Sequence, residues 1–120
     1  MDEAKSYLET TIPSYLTSRP SRDLLIAGHQ EITRDWWENR RAEFHIYISQ
    51  FVLDEAAAGD RFAARERLKV LEPLPLLDIT AKVGDLATAI LASGQIPRKA
   101  ATDAAHIAIA AVHGMGFLVT

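Results

Sequence analysis

The sequence predicts a single three-layer α/β/α domain over residues 1–120 with a mostly parallel sheet, and three observations carry that expectation. Short β-branched, aromatic or apolar runs alternate with segments whose apolar residues recur at helical spacing. Gly59, Gly94 and Gly114 stand where helices should stop, and prolines mark several of the connections. The chain has 120 residues, 48% of them hydrophobic, which is enough for one core and not for two.

Lys5 to Glu9 reads as a short buried strand, and residues 10–20, with Pro13 and Pro20, read as a loop. Ser21 is placed to cap a helix that runs to about Arg41, with Asp23 near its positive end and Leu25, His29, Ile32 and Trp36 on one face. Phe44-His45-Ile46-Tyr47-Ile48 alternates and is the second strand. Ser49 then caps a short helix ending at Gly59, and Asp60 caps another in which Ala64, Leu68 and Leu71 share a face. Leu76-Leu77-Asp78-Ile79 is a third strand. Thr80 opens a helix with Val83, Leu86, Ala87, Ile90 and Leu91 at amphipathic spacing, stopped by Gly94. Pro97 introduces an Ala-rich helix that Gly114 ends, and Phe117–Thr120 begins a fourth strand. No internal repeat, linker or low-complexity stretch interrupts the pattern.

Composition removes whole classes of function. No Cys is present, so disulfides, thiolate zinc sites and cysteine nucleophiles are excluded together, and a reducing cytoplasm is the expected location. The acidic amino terminus, Met1-Asp2-Glu3-Ala4-Lys5, is unlike a signal peptide, and no apolar run approaches the roughly 20 residues of a membrane span. A formal charge of −3 makes the chain no general nucleic-acid binder, so any grip on phosphate must come from local Arg or Lys or from metal ions.

Three carboxylates fall where this topology would gather them. Glu9 ends the first strand, Glu55 lies in the first two turns of the helix after the second, and Asp103 stands near the start of the helix before the fourth. In a parallel α/β sheet, the carboxyl ends of strands and the amino ends of helices share one edge, where ligands bind. Carboxylates without Cys form a hard-oxygen set suited to Mg²⁺ or Mn²⁺. Such ions polarise phosphates and generate hydroxide, which points to phosphodiester hydrolysis. There is no Gly-rich phosphate loop with Lys-Ser/Thr and no paired-Asp motif after strand one, so a nucleotide-binding or phosphatase domain has little support.

The same residues carry a family resemblance. Tyr7-Leu8-Glu9-Thr10-Thr11 resembles the opening strand of PIN domains, where an acid is followed by Thr or Ser. Ile48-Ser49-Gln50-Phe51-Val52-Leu53-Asp54-Glu55 is similar to the segment that places the second acid, and Thr102-Asp103-Ala104-Ala105-His106-Ile107-Ala108 to the family's Asp-containing helix. The separations, 55 − 9 = 46 and 103 − 55 = 48, suit the family. The resemblance spans the chain and is closest to VapC-like toxins of type II toxin–antitoxin systems. It implies a Mg²⁺- or Mn²⁺-dependent ribonuclease, often a homodimer, that a cognate antitoxin inhibits. The implied catalytic and metal-binding residues are Glu9, Glu55 and Asp103, supported by the hydroxyl of Thr10 or Thr11, of which motif alignment prefers the second.

Two departures shape the expectation. Glu9 stands where the family usually has Asp, and the acid or Asn usually found beyond the strand at Phe117–Thr120 is not in this sequence, nor is a final strand. The chain is therefore expected to be truncated at its carboxyl end relative to the family and to rely on self-association or a partner. An alternative is a degenerate PIN-like module that binds protein or RNA without useful nuclease activity. Arg22, Arg98 and Lys99 flank the expected site and are candidates for phosphate contact, with ordinary solvated charges as the plainer reading. His106, one turn after Asp103, could face the site but reads more simply as a satisfied core histidine, and Arg67 reads as part of a solvated helix.

Overall fold

Parallel strands can be joined only by crossovers, and the helical segments between the strand runs supply them. A computed structural model describes residues 4–95, 97 and 100–120. Strands β1 (Ala4–Leu8), β2 (Phe44–Ser49), β3 (Leu76–Leu77) and β4 (Phe117–Val119) form one sheet in the order β3-β2-β1-β4. All the pairings are parallel, with Tyr7 opposite both Tyr47 and Leu118, and Ile48 opposite Leu76. The first strand is thus interior, while β3 and β4 form the edges. Ser6, Tyr7 and Leu8 are all fully buried. Successive side chains of a strand point to opposite faces, so helices must cover the sheet on both sides. This is the three-layer α/β/α arrangement expected from the sequence.

The helices are α1 (Thr11–Thr17), α2 (Leu24–Asn39), α3 (Gln50–Ala56), α4 (Arg61–Leu71), α5 (Ala81–Ala92) and α6 (Ala101–Val112), with a 3₁₀ turn at Arg41–Glu43. Tyr7, Leu8, Ile48, Val52, Leu71, Val83 and Ile109 form the centre of the core. Burying each large apolar side chain is worth roughly 1.5–3 kcal/mol. Ala104 and Ala108 have no exposed surface, so α6 lies close against its neighbours, α5 above all. Asp60 caps α4 by accepting from the Ala63 N–H, as expected. Gly94 and Gly114 directly follow the cap residues of α5 and α6, with positive φ values of 75° and 67°, whereas α3 already ends at Ala56 and Gly59, with φ 84°, lies in the connection to α4. Among the described residues no helix is long and apolar enough to cross a membrane.

Four local expectations are corrected. Residues 11–17, expected within a loop, are helical, because Pro13 sits in the first turn, where its missing N–H has no intrahelical partner to lose. The cap of α2 is Asp23 rather than Ser21: its carboxylate accepts from the N–H groups of Leu25 and Ile26, while the Ser21 hydroxyl accepts from the Asp23 N–H. The inward face of α2 also differs. Leu25 and Ile32 are 70% and 69% exposed, whereas Gln30 and Thr33 are buried. Gln30 goes inward because both ends of its amide are satisfied, its Oε1 by the Ser21 N–H and its Nε2 by the Arg19 carbonyl. Both tryptophans of α2 are half-buried against the core, and the Arg41 guanidinium lies 4.3 Å above the Trp37 ring. β3 is shorter than its apolar run, ending at Leu77.

Candidate functional site

The carboxyl ends of β1 and β2 lie side by side, and each leads straight into a helix, which brings the residues just beyond them to one edge of the sheet. Glu9 follows β1 directly. Its N–H donates to the Val119 carbonyl of β4 at 3.0 Å and its carbonyl accepts from the Ile12 N–H, so its backbone is held from both sides. Thr10 is the cap residue of α1, but its hydroxyl does not cap the helix. It donates instead to Glu55 Oε1 at 3.3 Å. Thr11 is the first residue of α1, so the structure separates the two threonines: Thr10 touches the acid.

Glu55 occupies the second turn of α3 and its side chain is 39% exposed. The carbonyls of Ala56 and Ala58, just beyond it, accept from the Arg67 guanidinium of α4 at 3.0 and 2.7 Å. Arg67 is therefore not simply solvated: it closes the carboxyl end of the helix that carries Glu55. Asp54 turns away and accepts from the Gln50 amide. Glu55 Oε1 also meets His106 Nε2 at 2.5 Å. His106 lies on α6 and is 2% exposed. Its other nitrogen, Nδ1, is 2.6 Å from the Tyr7 hydroxyl, which is 2.7 Å from the Ser49 hydroxyl. The Phe51 ring stands edge-on to the imidazole. A chain of polar atoms thus runs from the interior to the acid at the edge. Ser49 precedes α3 as its cap residue without using its side chain for capping, because that hydroxyl is committed to Tyr7. Burial raises the pKa of Tyr7 well above the ordinary value, against the lowering effect of the Ser49 bond, and the charges of Glu9 and Glu55 add to the rise. Both acids therefore lie near enough to this hydroxyl to be felt there.

Asp103 sits in the first turn of α6, exposed, where a negative charge is favoured by the helix dipole, and it precedes His106 by one turn. Glu9, Glu55 and Asp103 thus attach to elements meeting at one edge. They do not form a closed cage: among the described residues no group of three or more His, Cys, Asp or Glu side chains is close enough to hold an ion. What the edge offers is an oxygen donor set in which Glu55 has one oxygen fixed by two donors and the other turned to no partner among the described residues. Mg²⁺ keeps several waters and is commonly held by one or two carboxylates plus substrate phosphate, so the free oxygen of Glu55 has the chemistry to bind a hydrated ion, while the described residues offer no dry cage. Arg22 is exposed in the loop between α1 and α2, and Arg98 and Lys99 lie outside the described residues.

The Tyr7–His106–Glu55 connection was missed in the sequence, although a signal was present. A tyrosine in a buried strand and a histidine in an Ala-rich helix both require polar partners, and each supplies the other's.

The family model for the PIN domain matches residues 21–120. No curated protein and no solved structure matches the chain.

Proposed function

The chain belongs to the PIN domain family, and on that premise we propose that it is a metal-dependent ribonuclease of the VapC toxin type. PIN domains are nucleases in general, and the finer reading is carried by one observation: at the carboxyl edge of a parallel sheet, Glu55 is oriented from two sides, by Thr10 at the end of β1 and by His106 on α6. Exposed acids held that firmly are more than solvated charges.

In this reading Glu9, Glu55 and Asp103 hold a hydrated Mg²⁺ or Mn²⁺ and are the catalytic acids. The ion would polarise the scissile phosphate and lower the pKa of an attacking water. Glu9 projects from a backbone fixed by β4 and α1, and Glu55, on a helix end closed by Arg67, has its carboxylate oriented by Thr10 and His106 before RNA arrives. Asp103 adds charge from an exposed helix start and can accept a proton from water. Arg22 supplies an exposed cation for the RNA backbone. The partners are RNA, a cognate antitoxin and a second copy of the chain, and the setting is the cytoplasm.

Purified chain incubated with single-stranded RNA should cleave it with Mn²⁺ or Mg²⁺ and not with a chelator, and Asp103→Asn should reduce the rate sharply. Undiminished cleavage by that variant overturns the reading. The absence of a three-acid group among the described residues favours a second one, a PIN-like binding module with little nuclease activity. Partner binding without measurable Mn²⁺ binding would establish it.

A further inference from the structure

His106 has a buried face and an exposed task. A core histidine needs only some acceptor for its ring N–H, and a backbone carbonyl would serve. Here the ring is 3% exposed and directs Nε2 at a carboxylate that is 39% exposed, on a different helix and 51 residues away in sequence. Carboxylate oxygens of an ionised Glu only accept, so Nε2 must carry a hydrogen and donate it to Glu55 Oε1. At the other side of the ring, Nδ1 meets Tyr7 Oη, which meets Ser49 Oγ; both partners are fully buried and belong to β1 and β2. The imidazole is thus fixed by the sheet before it reaches the acid.

Without these contacts, a Glu near the end of a seven-residue helix would sample several rotamers. With them, Oε1 has two donors, His106 Nε2 at 2.5 Å and Thr10 Oγ1 at 3.3 Å, and Oε2 has none among the described residues. Resting on the metal-dependent reading above, we propose that His106 is a positioning residue: braced by Tyr7 and Ser49, it pins one oxygen of Glu55 so that the other is presented to a hydrated divalent cation. His106 itself is neither a ligand nor a catalytic residue in this arrangement. Hydrogen bonds behind a ligand tune its affinity because they fix its orientation and its basicity.

The test is Mn²⁺ binding by isothermal titration calorimetry on the full, metal-free chain, in His106→Leu, His106→Gln, Glu55→Gln and the double variant His106→Leu/Glu55→Gln. His106→Leu should weaken binding by about 10- to 100-fold. His106→Gln, whose amide can still donate, should recover most of the loss. In the Glu55→Gln background, His106→Leu should add less than about a threefold effect, since a residue acting through Glu55 has nothing left to act on. Glu55→Gln weakened while His106→Leu binds like the unaltered chain overturns the positioning role and leaves the ion site standing. Glu55→Gln binding as the unaltered chain does overturns the ion site itself, and the proposal with it. A measurement on the unaltered chain guards against variants that fail to fold: nitrogen-15 NMR of the His106 ring should show a hydrogen on Nε2, and a ring protonated on Nδ1 alone refutes the proposal.

Discussion

Removing one oxygen atom tests the interior polar chain most directly. Tyr7→Phe keeps the ring and deletes a hydroxyl placed 2.7 Å from Ser49 Oγ and 2.6 Å from His106 Nδ1. Two hydrogen bonds are lost, each worth about 1 kcal/mol net, and two buried polar atoms are left without partners at about 1–3 kcal/mol each. The Ser49 hydroxyl can rotate towards another acceptor, whereas the ring nitrogen of His106 cannot, so the expected loss at pH 7 is roughly 2–4 kcal/mol. The same loss must depend on pH. In the unfolded chain Tyr7 ionises at about pH 10, while burial keeps it protonated in the folded chain above that pH. Above pH 10 the folded state therefore binds more protons than the unfolded state, and stability falls as pH rises, by about 1.4 kcal/mol per pH unit. The Phe variant lacks this group, so its deficit should shrink by that amount for each unit above pH 10. Urea unfolding of both proteins from pH 7 to 11.5, with a chelator present, reads the difference directly. A deficit that does not change with pH shows that Tyr7 ionises alike in both states, and a deficit below about 0.5 kcal/mol at pH 7 shows that the hydroxyl chain contributes nothing.

Three further substitutions bear on other parts of the structure. Thr10→Val should weaken Mn²⁺ binding by about three- to tenfold, because the bond it removes is long, and Thr11→Val should leave it unchanged; equal effects in the titration would contradict the separation of the two threonines. Leu25→Ser and Ile32→Ser should each change the urea midpoint by less than the equivalent of about 0.5 kcal/mol, since both side chains project into solvent; a loss near 2 kcal/mol would restore the apolar face read from periodicity. Ser6→Ala should raise stability by up to about 1 kcal/mol, because the Ser6 hydroxyl is buried with no hydrogen-bond partner among the described residues, and thermal unfolding showing a loss would mean the hydroxyl is satisfied in solution.

Much of this architecture was readable in the chain. The strand runs of β1, β2 and β4, the cap at Asp60, the glycine stops after α5 and α6 and the inward face of α5 follow local rules of pattern and backbone conformation, and the structure places them as the residues imply. Several of the errors share a cause: a polar residue whose position is decided by a distant partner. Periodicity assigns Leu25 and Ile32 to the core because it weighs each side chain alone, whereas Gln30 turns inward on the strength of two backbone groups nine and eleven residues away. Ser49 looks like a helix cap and stands at the cap position, but its hydroxyl is drawn to Tyr7, 42 residues earlier. His106 reads as a core residue and is one, yet its second nitrogen serves an acid on another helix. That Glu9 and Glu55 follow neighbouring parallel strands could be anticipated from topology; the Thr10 and His106 contacts to Glu55 could not.

The position of β1 in the sheet has a consequence for how the protein comes into being. β1 is flanked by β2 and by β4, and pairing Ser6 with Phe117 brings together residues 117 − 6 = 111 positions apart. Contacts so far apart in sequence form late and slow the folding reaction. Glu9 takes its backbone bond from Val119, so a nascent chain cannot set the edge that carries its acids until residue 119 has cleared the ribosome.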